Sequence, residues 1–455
     1  MSATATHGSV KTFGKGGIHP GPNKGMTSGK PIEDIPPPKE VRLPLVQHLG
    51  EPATMIVKKG DLVRRGQKIA DGGATGAPLH ATISGKVKPL DRYPHPTLVM
   101  SQAIVITRTE GEGTEELEFP EDPAWRGVSR EEALERIREA GIVGLGGAAF
   151  PTFRKLTLPE GVKLDTLILN GAECEPYLTS DYRIMLAHPV EIVEGAMVMA
   201  RILGVKRAII GVESDKPEAA AKLEAAAAGA ERGDVKIEVG MCQARYPQGA
   251  ERQLVHALTG RVMPARALPS AVRVLVQNVA TAVAVHDAVR YRKPLLDRVV
   301  TVTGPGIREP KNVRVPIGTL LADLVAFGGG FHKGVTRVVA GGPMMGRSLP
   351  RLDIPVIKGL NGLVLLTGVS PFEGGYGPCI GCTRCVEACP LGLEPDQVSV
   401  RVEAGRQLET EPFGAIDCYE CGCCTYVCPS SRPLVQFMQV AKASLRRAGE
   451  LRIRK

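Results

Sequence analysis

The sequence predicts a multidomain α/β protein, and three observations support that prediction. The chain has 455 residues, well past the size at which a single hydrophobic core stops growing. Between positions 164 and 240, short apolar runs alternate with helical patterns, which indicates a largely parallel sheet. Nine of the eleven cysteines fall between Cys379 and Cys428, so we expect a separate cysteine-rich module near the end of the chain.

Composition narrows the class of protein. Hydrophobic residues make up 43% of the chain and charged residues 23%, as in ordinary soluble proteins. No apolar run is long enough to span a membrane, and the first residues lack the apolar stretch of a secretory signal. The sequence therefore predicts a cytoplasmic protein, in which clustered cysteines favour metal over disulfides.

The net charge of +9 suits nucleic acid, an anionic membrane or an acidic partner, or reflects solubility alone. The last segment, 431–455, ends in a basic group and is either a docking helix or the solvated last helix. Its basic residues are Arg446, Arg447, Arg452, Arg454 and Lys455.

The first hundred residues predict an arm and a β unit. Residues 1–40 are rich in Gly, Pro and Lys without periodicity, which indicates an extended arm. Residues 41–110 carry short β runs separated by Gly-Asp and Ser-Gly turns. Their pattern resembles the barrel-sandwich hybrid of biotinyl and lipoyl carriers, which present a modified lysine at a hairpin tip. The tip here, residues 72–78, has no lysine, which favours a structural role.

The same tip approaches a motif for covalent flavin attachment. Thr75-Gly76-Ala77 is followed by Pro78, and proline has no hydroxyl to esterify. Covalent flavin attachment is therefore excluded.

The α/β domain is expected after an acidic linker at 111–128. Ser129 is predicted to cap a helix, with Glu132 three residues on. A glycine-rich turn follows at 141–152. The predicted strands are 164–170, 207–213 and 235–240, and the predicted helices are 189–203 and 215–229.

Residues 298–330 contain two β runs and a helix, which suggests a small β-grasp-like unit. The predicted boundaries are an arm at 1–40, a barrel-sandwich hybrid with its linker at 41–128, the α/β domain at 129–297, a β-grasp domain at 298–370 and the cysteine module at 371–455.

The cysteines form two runs of one spacing, C-x₂-C-x₂-C-x₃-C-P, 39 residues apart. Thiolates at this spacing hold [4Fe–4S] clusters, and the fourth cysteine of each run reaches the other cluster in two-cluster ferredoxins. Zinc, the alternative, usually takes two C-x₂-C pairs instead. The first cluster is therefore predicted on Cys379, Cys382, Cys385 and Cys428, and the second on Cys389, Cys418, Cys421 and Cys424.

Four further residues carry structural expectations. Pro390 and Pro429 are expected to start the helix after each run. Cys423 is expected to pack beside a cluster, and Cys242 to be a small buried hydrophobe.

A glycine-rich loop carries Gly144, Gly146 and Gly147 and is followed by Lys155. Glycines let the backbone approach a ligand and present N–H groups to phosphate. Because the preceding segment is helical, this is not the strand-to-helix dinucleotide fingerprint. From the residues alone, a phosphate site and a tight turn both remain open.

The segment GLGGAAFPTFRK resembles the FMN-binding loop of the NADH-oxidising flavoprotein subunit of respiratory complex I. Further motifs of that family follow in the same order, and they contain Asn170, Glu173, Glu175, Tyr246, Glu251, Asn278 and Thr281. Two positions depart from the family pattern: Leu145 replaces a frequent Arg, and Ala172 replaces an acidic residue of the flavin loop.

The order of the four units resembles the C subunit of the Rnf ion-translocating electron transport complex, as do GGIHP at 16–20 and GGPMMG at 341–346. The resemblance implies an NADH-linked oxidoreductase subunit of a translocase, peripheral on the cytoplasmic side of the inner membrane. It would pass electrons between NAD(H) and ferredoxin-type carriers through non-covalent FMN and two [4Fe–4S] clusters. Its partners would be membrane subunits of the complex and, indirectly, ferredoxin, but not nucleic acid.

Flavin is needed in such a chain because a hydride carries two electrons and a cluster accepts one. The resemblance assigns the FMN phosphate to Lys155 and the glycine-loop amides, the flavin to Asn170 and Asn278, and the nicotinamide nucleotide to Glu175 and Glu251. Phe150 is expected to form an aromatic wall, and no side chain is expected to act as a general acid or base.

Two other functions remain open at this point. One is a cobalamin reductase of bacterial microcompartments, in which the barrel segment is expected at the C-terminal side. The other is a flavin-free iron–sulfur protein that only conducts electrons.

Overall fold

The structure is a computed structural model that describes residues 10–111, 113, 115–230, 235–368 and 374–453. Its strands form four sheets of six, five, four and three strands. The first nine residues of the predicted arm, and the predicted boundary at 370/371, lie outside the described residues. Within the described part of the chain, no helix is both long enough and apolar enough to cross a membrane.

The arm is extended, as predicted, and it contacts three parts of the molecule. Ile18 forms an antiparallel bridge with Tyr246 of the α/β domain. The amide of Gly17 donates to the carbonyl of Ala388 in the cysteine module at 2.9 Å. Strand β1, Ile32–Asp34, then pairs in parallel with residues 312–314 of the β-grasp unit.

Gly16 makes the tightest contact of this arm. A Cβ there would overlap the backbone of Cys389 and Pro390, and the φ of Gly16 is +66°. We expect Gly16→Ala to loosen the cysteine module from the α/β domain, because side chains avoid this φ and backbone neighbours cannot rotate away. Faster cleavage between the two units in limited proteolysis would show it.

Gly25→Ala is the matched control on the same arm, since nothing lies within 4 Å of a Cβ at that position. Equal cleavage of the two variants would contradict the prediction.

The N-terminal unit is all-β, as predicted. A five-stranded sheet has the order β2-β9-β7-β4, with β8 paired to β9, and a three-stranded sheet has the order β3-β5-β6. The strands are β2 (Glu40–Pro44), β3 (Thr54–Met55), β4 (Leu62–Val63), β5 (Lys68–Asp71), β6 (Leu79–His80), β7 (Gly85–Val87), β8 (Asp91–His95) and β9 (Val99–Arg108).

The tip at 72–78 joins β5 to β6 and is packed at a junction of three domains. The buried ammonium of Lys358 donates to the carbonyls of Pro78, at 2.9 Å, and Gly141, at 2.7 Å. The amide of Ala77 donates to Nε2 of His48 at 3.0 Å. Burial lowers the pKa of Lys358 to about 7. A tip held by buried groups of other domains fits the predicted structural role.

The α/β domain contains four parallel strands in the order β12-β11-β10-β13. The three predicted strands and both predicted helices are confirmed, and β13 is an additional strand. The strands are β10 (Thr166–Gly171), β11 (Arg207–Glu213), β12 (Lys236–Cys242) and β13 (Val274–Asn278). The helices are α1 (Arg130–Glu139), α2 (Thr152–Leu156), α3 (Ser180–Ala187), α4 (Pro189–Leu203), α5 (Pro217–Gly229), α6 (Glu251–Thr259) and α7 (Val279–Tyr291).

Helix α1 begins as the capping pattern predicts. The amide of Glu132 donates to the Ser129 hydroxyl at 3.1 Å. The Glu132 carboxylate binds Arg136 instead of returning to the cap, so only half of the capping box forms.

The β-grasp prediction is confirmed. Its mixed sheet has the order β1-β15-β14-β18-β16-β17, so the arm supplies an edge strand. The elements are β14 (Asp297–Thr303), β15 (Lys311–Pro316), α8 (Leu321–Phe327), β16 (Val335–Ala340), β17 (Arg347–Leu349) and β18 (Gly362–Thr367). Helix α8 buries Leu321, Leu324 and Val325 in a core of their own.

The cysteine module consists of two short and two longer helices, α9 (Arg384–Glu387), α10 (Pro395–Glu403), α11 (Cys423–Tyr426) and α12 (Leu434–Ile453). The expectation that Pro390 and Pro429 start the helices is wrong. The chain stays irregular for four residues after each proline, and it is Pro395 that begins α10. The basic end of α12 lies, from position 450 on, outside the described side chains.

Short 3-10 helices complete the structure at Lys24–Met26, Trp125–Gly127, Pro269–Val272, Gln407–Phe413 and Ala415–Asp417.

Candidate functional site

The carboxyl ends of β10 and β13 lie side by side in the parallel sheet, and we call the region beyond these two strand ends the crevice. Along the chain, β11 and β12 follow on one side of β10, and β13 then pairs with the other side of β10. In such sheets, ligands bind where the strand order reverses. Asn170 and Asn278, both predicted flavin contacts, are register partners at this point.

The glycine loop lies against the same edge. The amide of Leu145 donates to the hydroxyl of Thr281 at 2.9 Å, which attaches the loop to the first turn of α7. A Cβ on Gly146 would lie 3.3 Å from the Cβ of Asn278. Gly147 has φ +109° and open space in front of it. The loop therefore presents bare backbone beside a helix N-terminus, as a phosphate requires.

Asn278 caps α7 and also contacts an acid. Its Oδ1 accepts from the amides of Ala280 and Thr281, and its Nδ2 donates to Asp181 at 2.6 Å. Burial and, second to it, the nearby Glu173 carboxylate raise the pKa of Asp181 to about 7. A protonated Asp181 can donate a hydrogen bond in the crevice as well as accept one.

Glu173 and Asn170 are held by backbone groups. The Glu173 carboxylate accepts from the amides of Asp181 and Tyr182 at the start of α3. The Asn170 Nδ2 donates to the carbonyl of Gly249 at 2.8 Å. These hydrogen bonds fix the positions of both side chains beside the crevice.

Lys155 and Glu251, predicted to contact phosphate and nucleotide, form an ion pair at 3.0 Å. Glu251 is the first residue of α6, and both side chains are about one-third exposed. Phe150, the predicted aromatic wall, is 40% exposed. These three groups are accessible to a ligand.

Glu175 connects the crevice to the β-grasp unit. Its carboxylate accepts from the amides of Met344, at 3.1 Å, and Met345, at 2.8 Å. A Cβ on Gly342 would overlap this carboxylate, which explains the second glycine of the GGPMMG motif. Burial raises the pKa of Glu175 to about 7, although both amide hydrogen bonds act to lower it.

Buried polar atoms without partners occur on four segments that carry or contact the predicted site residues. They are Oγ1 of Thr152, Oδ1 of Asp181, both amide atoms of Gln248 and Nε2 of Gln277. Buried polar groups of proteins are almost always hydrogen-bonded. The residues present therefore fit a bound group rich in donors and acceptors, such as FMN.

None of these four residues is among the site residues predicted from the sequence. Gln248 lies inside the predicted Tyr246–Glu251 segment and Gln277 directly precedes Asn278, so the motif positions contained a usable signal. Asp181 gave none, because only the folding of α3 brings it to Asn278.

Tyr246 links the crevice to the second cysteine set. Its hydroxyl donates to the carbonyl of Cys421 at 2.6 Å. Its buried ring belongs to an apolar cluster with Ile18, Ala388 and Cys423. The second set therefore packs directly against the α/β domain.

The first cysteine set lines one cavity, and the lining contains Cys379, Cys382, Cys385 and Cys428. Asp396 and Arg432 line the same cavity. Burial and, second to it, the Asp396 carboxylate raise the pKa of the Cys385 thiol to about 11. Cys382 is exposed, so this set faces the surface.

The members of the second set are mutual neighbours. Burial raises the pKa of the Cys424 thiol above its usual range, and Cys421, Cys418 and Cys389 raise it further. Desolvation and mutual repulsion oppose ionisation of adjacent buried thiols, and a bound metal supplies positive charge that favours it. Across the described residues, no three His, Cys, Asp or Glu side chains converge as the ligands of a single ion do. Each set supplies the four free thiols that a [4Fe–4S] cluster requires.

Of the three remaining cysteines, Cys242 is the small buried residue that was expected. Cys423 is fully buried beside Cys421. Cys242 is fully buried in an apolar cluster with Ile168 and Leu254. Cys174 accepts from the amide of Gly249 at 3.4 Å.

Family models match four consecutive parts of this chain. The RnfC barrel sandwich hybrid domain matches residues 11–111, and the Nuo51 FMN-binding domain matches residues 137–287. The SLBB domain matches residues 299–348, and the 4Fe-4S dicluster domain matches residues 378–431.

Curated relatives match almost the whole chain. The C subunit of a proton-translocating ferredoxin:NAD(+) oxidoreductase complex from Clostridium ljungdahlii is 43% identical over 97% of this chain and 95% of its own. The C subunit of an Na(+)-translocating ferredoxin:NAD(+) oxidoreductase complex from Acetobacterium woodii is 38% identical over 95% of this chain and 96% of its own.

Among solved structures, an NAD+-reducing [NiFe]-hydrogenase in its air-oxidized state has a similar fold. The TM-score is 0.51 at 23% sequence identity, and the match covers 65% of this chain. It spans only about half of the hydrogenase chain, 55%. The likeness supports the fold of the matched part.

Proposed function

This chain belongs to the family of C subunits of ion-translocating ferredoxin:NAD(+) oxidoreductase complexes, and from that premise we propose how its residues serve the activity. As a subunit of such a membrane complex, it passes electrons between NAD(H) and ferredoxin. FMN supplies hydride exchange with NAD(H) and one-electron exchange with iron–sulfur clusters. One observation carries the proposal: the segment 246–249 contacts Asn170 through the carbonyl of Gly249 and the second cysteine set through the hydroxyl of Tyr246.

Lys155 and the backbone amides of the glycine loop would hold the FMN phosphate. Lys155 would then exchange its present ion pair with Glu251 for the phosphate, and Glu251 would be available to the nicotinamide nucleotide. Asn170 and Asn278 would orient the flavin, and the adjoining segments carry the unpartnered amide atoms of Gln248 and the unpartnered Nε2 of Gln277. Phe150 would shield one face of the bound ring system.

The two cysteine sets have different positions in this scheme. The set of Cys389, Cys418, Cys421 and Cys424 is next to the flavin domain. The set of Cys379, Cys382, Cys385 and Cys428 is at the surface, where another protein can approach it. We further propose that the chain is peripheral, on the cytoplasmic side of the membrane, where NAD(H) is available.

The two alternative functions are disfavoured. The barrel-sandwich match at 11–111 is N-terminal, unlike the order expected of the cobalamin reductases. An FMN-binding model covers residues 137–287, and unpartnered polar atoms surround the crevice, which disfavours a flavin-free protein.

Anaerobic purification with quantified iron, sulfide and FMN tests the proposal. We expect about eight irons and one FMN per chain, with bleaching of the visible spectrum by NADH. Full iron without flavin or bleaching would leave only the conducting function.

Glu175 provides a pH-dependent prediction. With a pKa of about 7, it is neutral below that pH and an acceptor-only carboxylate above it. If the ionised form binds the nicotinamide nucleotide, NADH affinity rises as the pH increases through 7. Stopped-flow measurement of flavin reduction at several NADH concentrations should show this rise of affinity with pH, and Glu175→Gln should abolish it.

Glu160→Gln is the matched control, because Glu160 is an exposed carboxylate of the same domain. If NADH affinity still rises with pH in Glu175→Gln, the rise belongs to another group.

A further inference from the structure

The two cysteine sets are related by a 39-residue shift, but their surroundings differ in charge. Asp396 lines the cavity of the first set, and its Oδ1 is buried without a hydrogen-bond partner. The corresponding position after the second run is Val435, an apolar residue that packs near Cys424 and Leu434. Only the first set therefore has a carboxylate at this position.

The cation of that cavity does not neutralise Asp396. Arg432 is buried and donates to Glu403, to the Ser399 hydroxyl and to the carbonyl of Gly377. Glu403 thus compensates the charge of Arg432. The Asp396 carboxylate accepts from the side-chain amide of Gln397, a neutral group, at 3.3 Å.

At the second set the nearby charges cancel. The ammonium of Lys442 donates to the carbonyl of Cys418 at 2.7 Å and to Glu420 at 2.6 Å. One cation and one anion therefore lie beside Cys418. Among these groups, Asp396 is the one carboxylate without a compensating cation, and it belongs to the first set.

We propose that Asp396 lowers the reduction potential of the cluster on Cys379, Cys382, Cys385 and Cys428 below that of the other cluster. A fixed negative charge opposes the arrival of an electron, and local charge is one of the terms that set cluster potentials. The inference rests on the proposed function only in requiring both clusters. A lower potential at the surface-facing set favours electron movement inward, towards Tyr246 and the flavin domain.

The test is a mediated redox titration of the intact chain, followed by EPR, on Asp396→Asn. We expect the lower-potential wave to rise by about 59 mV or more, which is a tenfold change in a one-electron equilibrium constant. The other wave should stay in place, and Asp396→Glu should restore the original potential. Cys428→Ala, which cannot complete the first set, identifies which wave belongs to it.

Glu394→Gln is the matched control, because it removes an exposed carboxylate two residues away. An unchanged wave in Asp396→Asn, or a shift no larger than in this control, would overturn the proposal. A shift of the wave that survives in Cys428→Ala would also overturn it. So would loss of iron from Asp396→Asn, since Asp396 would then serve cluster assembly. The readout needs neither FMN nor NADH, so its failure is distinct from failure of the proposed function.

Discussion

Replacing Gly146 and Gly147 together by leucine is expected to abolish FMN binding while the iron content stays near eight per chain. A Cβ on Gly146 already lies 3.3 Å from Asn278, and Gly147 has φ +109°. Strain at such a φ costs on the order of 1–3 kcal/mol, and every 1.4 kcal/mol is about tenfold in affinity. FMN released by acid from the purified variant should therefore fall by about tenfold or more.

Gly229→Leu is the control for this variant, because nothing lies within 4 Å of a Cβ at this position of the same domain. The Gly229→Leu variant should keep its bound FMN. Retention of FMN in the double variant would show that the glycine loop is only a tight turn and would remove the main support for the flavin site.

Replacement of Cys428 by alanine should remove about half of the iron. Cys428 lies in the second run but lines the cavity of the first set, so the exchange of fourth cysteines predicts loss of the first cluster. Iron analysis should fall from about eight to about four per chain. The EPR signal of the second cluster should survive.

The neighbouring Cys423→Ala tests whether every cysteine of this region is needed. Cys423 is fully buried, more deeply than any of the eight predicted ligands, and it belongs to the apolar cluster around Tyr246. The Cys423→Ala variant should therefore retain its full iron content. Equal iron loss in the two variants would contradict the ligand assignment and would point to general damage of the module.

Much of the fold could be predicted because its signals are local. Alternating apolar runs gave three strands of the parallel sheet, and Ser129 with Glu132 gave the start of α1. The fourth strand, β13, is five residues long and runs directly into the apolar start of α7, so its apolar residues were not separated from those of the helix. The helix starts after Pro390 and Pro429 were wrong because the chain first turns through four irregular residues after each proline.

The cysteine sets were also accessible from the sequence, since thiolate spacing reflects the metal group itself. What could not be predicted are contacts that depend on several domains meeting. The amides of Met344 and Met345 hold Glu175 only because the β-grasp unit packs on the crevice. Asp396 lines the first cavity only because α10 folds back beside Cys385. Neither contact has a pattern along the chain.

The arm imposes an order on biosynthesis. Chains emerge from the ribosome with their N-terminus first, and domains generally fold as units. Gly17 and Ile18 are therefore synthesised long before Ala388, to which Gly17 donates. Until then that stretch has no partner in the cysteine module. Because Gly16 packs directly on the backbone of Cys389 and Pro390, the arm completes its docking only after the first cysteine run has been synthesised.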